Sequence, residues 1–419
     1  MLSAEIIAIG SELLTPEKTD TNGLWLTEKL NEFGIEVMLK TIVGDDEPRL
    51  LEVIKDALKR SDVVITTGGL GPTEDDITRQ VSAKALGREL IYNEGLEAEL
   101  RRRFQMMGRE MPEINKRQAW VIEGAEVIAN PNGSAPGIYF GSNECILVNL
   151  PGPPREMKPM FEQAVLPRLS ERAGEIIVKR RILRVSGMGE SAVDAVASPI
   201  YKTYENVRTA ILFNKTEVEI HLYARYATEA DADAVLAELS ERLSSALGVA
   251  VFTTTGETME EVVGRMLRER GETLSLAESC TGGLVSRRIT EVPGSSEYFS
   301  EGAVTYSNEA KVRTLDVPEE TLAAYGAVSA ETAEAMAKGI RARAGTDHAV
   351  SITGIAGPGG GTEEKPVGTV FIGYAGPHGV RSIRLVLPGD RYLIRWRTSQ
   401  AALDHLRRQM LKQASRDKL

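Results

Sequence analysis

The run Asp62-Val63-Val64-Ile65-Thr66-Thr67 passes directly into Gly68-Gly69-Leu70-Gly71-Pro72. A short apolar run that ends in glycines reads as a buried parallel strand feeding a loop, and a strand of that kind needs helices on both faces of its sheet. The surrounding sequence supplies them. Ala4 to Ile9 is a second apolar run, Asp20 can cap a helix reaching Phe33, and Ile35 to Val43 reads as a strand. Asp45 or Asp46 can cap the next helix, with Pro48 near its first turn, where a missing N–H is harmless. Residues 1–170 are therefore expected to form a doubly wound α/β sheet. Such sheets place ligands at the carboxyl ends of their strands, which makes the glycine loop a candidate binding site.

The texture changes after that. Residues 171–254 read as a small α+β module. Thr216 to Arg225 alternates, with Val218, Ile220 and Leu222 on one face and Glu217, Glu219 and His221 on the other, as in a half-exposed antiparallel strand. Glu229 to Leu247 is an amphipathic helix, and Gly187-Met188-Gly189 reads as a turn into another. Thr253-Thr254-Thr255-Gly256 looks like a linker. A third α/β unit, residues 255–419, opens with a helix from about Glu257 to Arg270 and closes with one that follows Pro388-Gly389-Asp390. Three units agree with the length prior of about three domains for a chain of 419 residues.

Composition excludes several function classes. With 50 Lys and Arg against 60 Asp and Glu, the net charge of -10 argues against a broad nucleic-acid surface. Arg101-Arg102-Arg103, beside Glu97 and Glu99, reads as a solvated face. The two cysteines, Cys145 and Cys280, form no disulfide framework and suit a reducing cytosol. Met1 to Ile9 reads as a strand, not a leader, and no apolar run approaches a membrane span. A cytoplasmic protein without a membrane partner is expected.

The glycine loop carries chemistry of its own. Gly68, Gly69, Gly71 and Thr73 can bring backbone N–H groups close to an anion. Asp75 and Asp76 follow at once, and Glu12, after Gly10-Ser11, ends the first strand on the same sheet edge. Carboxylates beside a phosphate cradle suggest a divalent metal with Asp75, Asp76 and Glu12 as ligands. A tight turn with an aspartate cap would look the same.

In the third unit, Ala277-Glu278-Ser279-Cys280-Thr281-Gly282-Gly283 reads as a strand running into a helix start, where dipole and free N–H groups meet a small side chain. Tyr306 and Lys311 lie further on. A serine, a tyrosine and a lysine can perform acyl transfer without a histidine, provided the lysine loses its charge through burial or a neighbouring cation. Local sequence alone favours a blander picture: a cap, a core tyrosine and a solvated lysine. Arg391, just before the last helix, is a candidate phosphate contact. Gly354 to Gly361 can line a ligand or form an ordinary turn. Cys280 is a rival nucleophile, though a small buried residue is its simpler reading.

These motifs resemble one family. Thr66 to Asp76, Gly10 to Leu14, Pro131 to Gly137 and Asn149 to Met157 are similar to the N-terminal domain of the CinA family, itself similar to the molybdopterin-binding MoaB and MogA fold. Ala277 to Gly283, Thr305 to Lys311, Gly326 to Ser329, Ser351 to Pro358, Glu363 to Val370 and Gly389 to Arg391 resemble its C-terminal domain. The resemblance implies two activities: a metal-dependent ADP-ribose pyrophosphatase at the N-terminus, and a cofactor-free nicotinamide mononucleotide deamidase at the C-terminus. It implies Ser279, Tyr306 and Lys311 as catalytic residues and suggests a homodimer. Thr281, Gly282, Gly283, Thr353, Gly354 and Arg391 are the expected contacts to nicotinamide mononucleotide. None of the four histidines falls in these motifs. Two other functions stay open: a non-catalytic partner in DNA uptake and recombination, and a molybdopterin-type binding module.

Overall fold

Alternating elements need local starts and stops, and polar side chains supply them. Asp20 accepts the Gly23 N–H and opens the helix Thr21–Glu32. Asp46 accepts the Arg49 N–H and opens Glu47–Arg60, with Pro48 in the first turn. Of the two aspartates expected there, Asp46 is the cap. Asp45 turns instead to Ser11, whose N–H and hydroxyl both donate to it. Thr258 and Glu261 close a capping box on Met259–Arg270. The computed structural model describes residues 2–142, 145–174 and 177–416. They fall into two units, Met1–Lys179 with Ala224–Ala234, and Arg180–Tyr223 with Val235–Leu419.

In the first unit, Ser3–Ile9 pairs in parallel with Glu36–Val43 and Val63–Thr67, and Val63–Thr67 with Ile146–Leu150. Gly137–Gly141 and Glu126–Ile128 extend the sheet antiparallel. Side-chain parity sorts the two faces. Ala4 and Ile6 pack with Leu26 and Leu30 of Thr21–Glu32 and with Met157 and Phe161. Ile7 and Ile9 pack with Leu50 and Ile54 of Glu47–Arg60 and with Val81 of Thr78–Leu86. This is the doubly wound α/β sheet expected from the alternation.

The second unit holds two sheets. The smaller orders Val207–Asn214, Glu217–Tyr226, Ile177–Ser186 and Val251–Thr253, and is joined by the helices Glu190–Tyr201 and Glu229–Leu247. Its second strand is not half-exposed. Glu217, Glu219 and His221 are buried along with Val218, Ile220 and Leu222. The polar face is covered because Arg184 donates to Glu217 at 2.7 Å, Gln400 donates to Glu217 at 2.9 Å, and His221 pairs with Glu219 at 2.7 Å. Sequence alternation reported two faces correctly; it had no means of showing that the polar one is paired.

The larger sheet orders Phe299–Val304, Leu274–Glu278, His348–Gly354, Thr369–Gly376 and Gly379–Val386. The first three strands are parallel and the last two antiparallel. Leu274 and Leu276 face a core with Met259–Arg270 and the last helix, Arg391–Arg416, while Ala277 faces Met336 and Ile340 of Ala330–Ala344. Among the described residues no helix is long and apolar enough to cross a membrane.

Candidate active sites

Strand Leu274–Glu278 ends one residue before Ser279, and its neighbour Phe299–Val304 ends one residue before Thr305. Glu278 and Val304 are register partners, so Ser279 and Thr305 leave the same sheet edge side by side. Ser307 then caps the helix Asn308–Leu315 by accepting the Ala310 N–H, and that helix carries Lys311 back beneath the edge. Lys311 is 1% exposed. Its Nζ lies 3.3 Å from Ser279 Oγ, 2.9 Å from the Thr305 carbonyl and 3.2 Å from the Tyr306 carbonyl. No carboxylate forms an ion pair with it among the described residues, and burial pushes its pKa below 10.5. An ammonium donates to all three oxygens, whereas a neutral amine can donate to the two carbonyls and accept from the Ser279 hydroxyl. The bland reading of a solvated lysine fails because this one lies beneath a sheet edge.

The mounting of Ser279 differs from the expected helix start. The helix begins at Leu284, beyond a turn in which Gly282 and Gly283 adopt φ of 58° and 88°. Its N-terminal N–H groups are not free. The fully buried Glu278 carboxylate accepts from the N–H groups of Gly283, Val285 and Ser286 at 2.8–3.1 Å, and from the Ser286 hydroxyl at 2.7 Å. A protein carboxylate thus fills the anion site that the dipole creates, so this helix end is closed to a substrate oxyanion. Glu278→Gln keeps the shape and loses the charge. We expect it to lower stability by about 2–4 kcal/mol, read as a lower urea midpoint, since bonds to charged groups are worth about 1.5–3 kcal/mol each.

Other expected residues separate. Tyr306 is not core: its side chain is 61% exposed, and its hydroxyl accepts from Arg391 at 3.2 Å. No hydrogen bond joins that hydroxyl to Ser279 or Lys311 among the described residues. Arg391 opens the last helix and also donates to the Gly357 carbonyl at 2.8 Å. Arg395, one turn on and unremarked in the sequence, donates to the Thr281 carbonyl at 2.6 Å and so braces the turn carrying Ser279. Its signal was its spacing of four from Arg391 on one helix face. The buried hydroxyls of Thr281 and Thr305 have no partner. The Thr353 hydroxyl, by contrast, donates to the Ala327 carbonyl. Gly354 is a packing glycine, since a Cβ there would lie 2.8 Å from the Thr369 carbonyl oxygen. Burial raises the Cys280 thiol to about 12, which removes it as a nucleophile at neutral pH. His348 lies at the far end of its strand, opposite Leu274, and burial pushes His405 down to about 4.

In the first unit, the sheet edge opens on a cavity of about 400 Å³. Gly68, Gly69, Gly71, Glu12, Asp45, Asp75, Asp76 and Glu156 line it. Gly68 has φ 105°, and a Cβ there would lie 2.2 Å from the Ile9 carbonyl oxygen. Only glycine lets the loop cross the first strand this closely. Gly68→Ala is expected to cost about 2–4 kcal/mol, visible as a lower thermal midpoint. The buried Arg79 and Gln118 both donate to the Leu70 carbonyl and hold the loop, and burial lowers Arg79 to about 10.

The expected metal ligands line one cavity but form no cluster: among the described residues no three His, Cys, Asp or Glu side chains are placed to hold an ion. The reason is local. Asp76 is occupied by the N–H and hydroxyl of Thr73, and Glu12 faces Lys18 at 3.5 Å. Thr73 is therefore a turn residue and not a phosphate contact. The Thr73 hydroxyl also holds Asp75 below the usual carboxylate range. Asp45, read in the sequence only as a possible cap, and Glu156, within the Asn149 to Met157 motif, were not assigned to this cavity because only the fold brings them to it. This donor set fits an ion that keeps one or two protein carboxylates and takes its remaining oxygens from a diphosphate.

The fold defines a multidomain α/β protein with a candidate site at a sheet edge in each unit. Three family descriptions divide it: "Probable molybdopterin binding domain" over 5–171, "Damage-inducible protein CinA KH domain" over 180–253, and "CinA C-terminal domain" over 256–410. A CinA-like protein of Solibacter usitatus is 47% identical over 409 residues, covering 98% of each chain. One from Koribacter versatilis is 48% identical over 413 residues, covering 97% of this chain and 100% of that one. The solved competence/damage inducible protein CihA of Agrobacterium tumefaciens is 41% identical, covering 37% of this chain and 97% of its own, with a TM-score of 0.34. The chain belongs to the CinA family.

Proposed function

We propose that the C-terminal domain hydrolyses the carboxamide of nicotinamide mononucleotide to nicotinate mononucleotide and ammonia. The observation that carries this reading is the buried Lys311 amine, poised 3.3 Å from Ser279 Oγ with no counter-ion. Ser279 Oγ attacks the carboxamide carbon while its proton passes to Lys311. The resulting ammonium returns that proton to the amide nitrogen, ammonia leaves, and an ester to Ser279 remains. Water then attacks the ester, Lys311 takes its proton, and the proton is delivered to the departing Ser279 oxygen. One amine thus serves as base and acid in turn. The N–H groups of Cys280 and Thr281, between Ser279 and the closed helix end, are the donors we assign to the oxyanion. Arg391 takes the phosphate. The test is ammonia release from nicotinamide mononucleotide by the full chain, and a folded protein that releases none overturns the reading.

For the first unit we propose hydrolysis of ADP-ribose at its diphosphate. The glycine cradle would bind the diphosphate, and Asp75 and Glu12, which line the same cavity, would hold a divalent ion, with Glu12 exchanging its exposed Lys18 partner for the metal. That ion would neutralise phosphate charge when bound. Metal-dependent release of AMP from ADP-ribose, abolished by a chelator, is the expected result. Without hydrolysis, the remaining reading is a molybdopterin-type binding domain. A purely non-catalytic competence partner would give no reason to bury an unpaired lysine beside a serine.

A further inference from the structure

We propose that Tyr306 grips the substrate and is not a proton relay: its ring receives the cationic pyridinium of the nucleotide, and its hydroxyl aims Arg391 at the phosphate. The inference rests on the deamidase reading above.

Tyr306 is tied down at both ends. Its carbonyl accepts from Lys311 at 3.2 Å, and its hydroxyl accepts from Arg391 at 3.2 Å. Between these anchors the side chain stays 61% exposed. Scattered aromatic rings are common on surfaces, but a ring whose backbone is bonded to Lys311 and whose hydroxyl is held by Arg391 stands as a preformed wall beside the buried serine. A relay would need its hydroxyl within about 2.6–3.2 Å of the proton it moves. The Lys311 amine is instead surrounded by Ser279 Oγ and two carbonyl oxygens, and the tyrosine hydroxyl is directed to a guanidinium.

The charges match the ligand from end to end. Nicotinamide mononucleotide carries a positive ring at the reacting end and a phosphate at the other. A cation over an aromatic face is attracted by its quadrupole. Arg391 makes no ion pair with a carboxylate among the described residues; its known partners are the Gly357 carbonyl and the Tyr306 hydroxyl, both neutral, so its charge is uncompensated. The arrangement therefore selects an N-alkylated pyridinium carboxamide that bears a phosphate. Free nicotinamide, neutral and lacking phosphate, gains neither contact.

The experiment compares Tyr306→Phe and Tyr306→Ala in the full chain by steady-state ammonia release. With Tyr306→Phe the ring remains, and kcat should stay within about 3-fold of the parent while KM rises. With Tyr306→Ala both contacts go, and KM should rise about 10-fold or more with a far smaller change in kcat. A relay predicts the opposite: Tyr306→Phe loses about 10²–10⁴ in kcat at unchanged KM, and that result overturns the proposal. A binding measurement separates this outcome from failure of the deamidase reading. Calorimetric titration of nicotinamide mononucleotide into Ser279→Ala and into Ser279→Ala/Tyr306→Ala should show weaker binding in the double variant. Equal binding in the two overturns the proposal, whatever the activity of the parent.

Discussion

Ser279→Ala should abolish ammonia release from nicotinamide mononucleotide, with kcat down by about 10³-fold or more, because no neighbouring group among the described residues can take the serine's place. Cys280, the adjacent thiol, is held protonated by burial, with its pKa raised to about 12. The histidines are engaged elsewhere: His348 with Glu272 and Tyr374, and His221 with Glu219. The substitution should leave the fold intact. The structural bond at this position is made by the Ser279 backbone N–H to the Ile352 carbonyl at 3.0 Å, and alanine keeps it. Melting temperature and nucleotide affinity should therefore match the parent while turnover is lost. Wild-type turnover in Ser279→Ala would eliminate the acyl-enzyme.

Lys311→Met should be nearly as damaging, by about 10²–10⁴ in kcat, since the methionine fills the space and supplies no base. It also removes a pH signature. The neutral amine is the active form, so the parent's activity should rise through the lowered Lys311 pKa and level off above it. For stability, the folded protein binds fewer protons than the unfolded chain between that lowered value and 10.5. Stability contributed by this group therefore increases with pH across that window and is lowest beneath it. The acid-side limb of the activity profile and this slope in unfolding free energy should both vanish in Lys311→Met. If the limb persists in residual activity, another group is the base.

Much of this was legible in residue order. The apolar run Val63–Thr67 and the caps Asp20 and Asp46 announce the sheets and helices because each signal acts within a few residues. The glycine loop was legible for the same reason: a positive φ at Gly68 is a local demand. The metal set was less so. Glu12, Asp75 and Asp76 do reach one cavity, but whether a carboxylate is free depends on what donates to it, and Thr73 had already claimed Asp76.

The sequence by itself determined which side chains exist at the ends of adjacent strands: Ser279 after one, Thr305 and Tyr306 after the next, and Lys311 one helical turn further on. Tertiary structure alone decided what each is for. Parallel pairing of Leu274–Glu278 with Phe299–Val304 puts the serine beside the carbonyls that hold the lysine, and burial there disfavours the lysine's charged form. The same packing turns Glu278 inward to fill the helix end whose N–H groups were expected to be free, and leaves the Tyr306 ring outside. Charge state and direction are properties of the surroundings, and those surroundings exist only once strands distant in sequence have met.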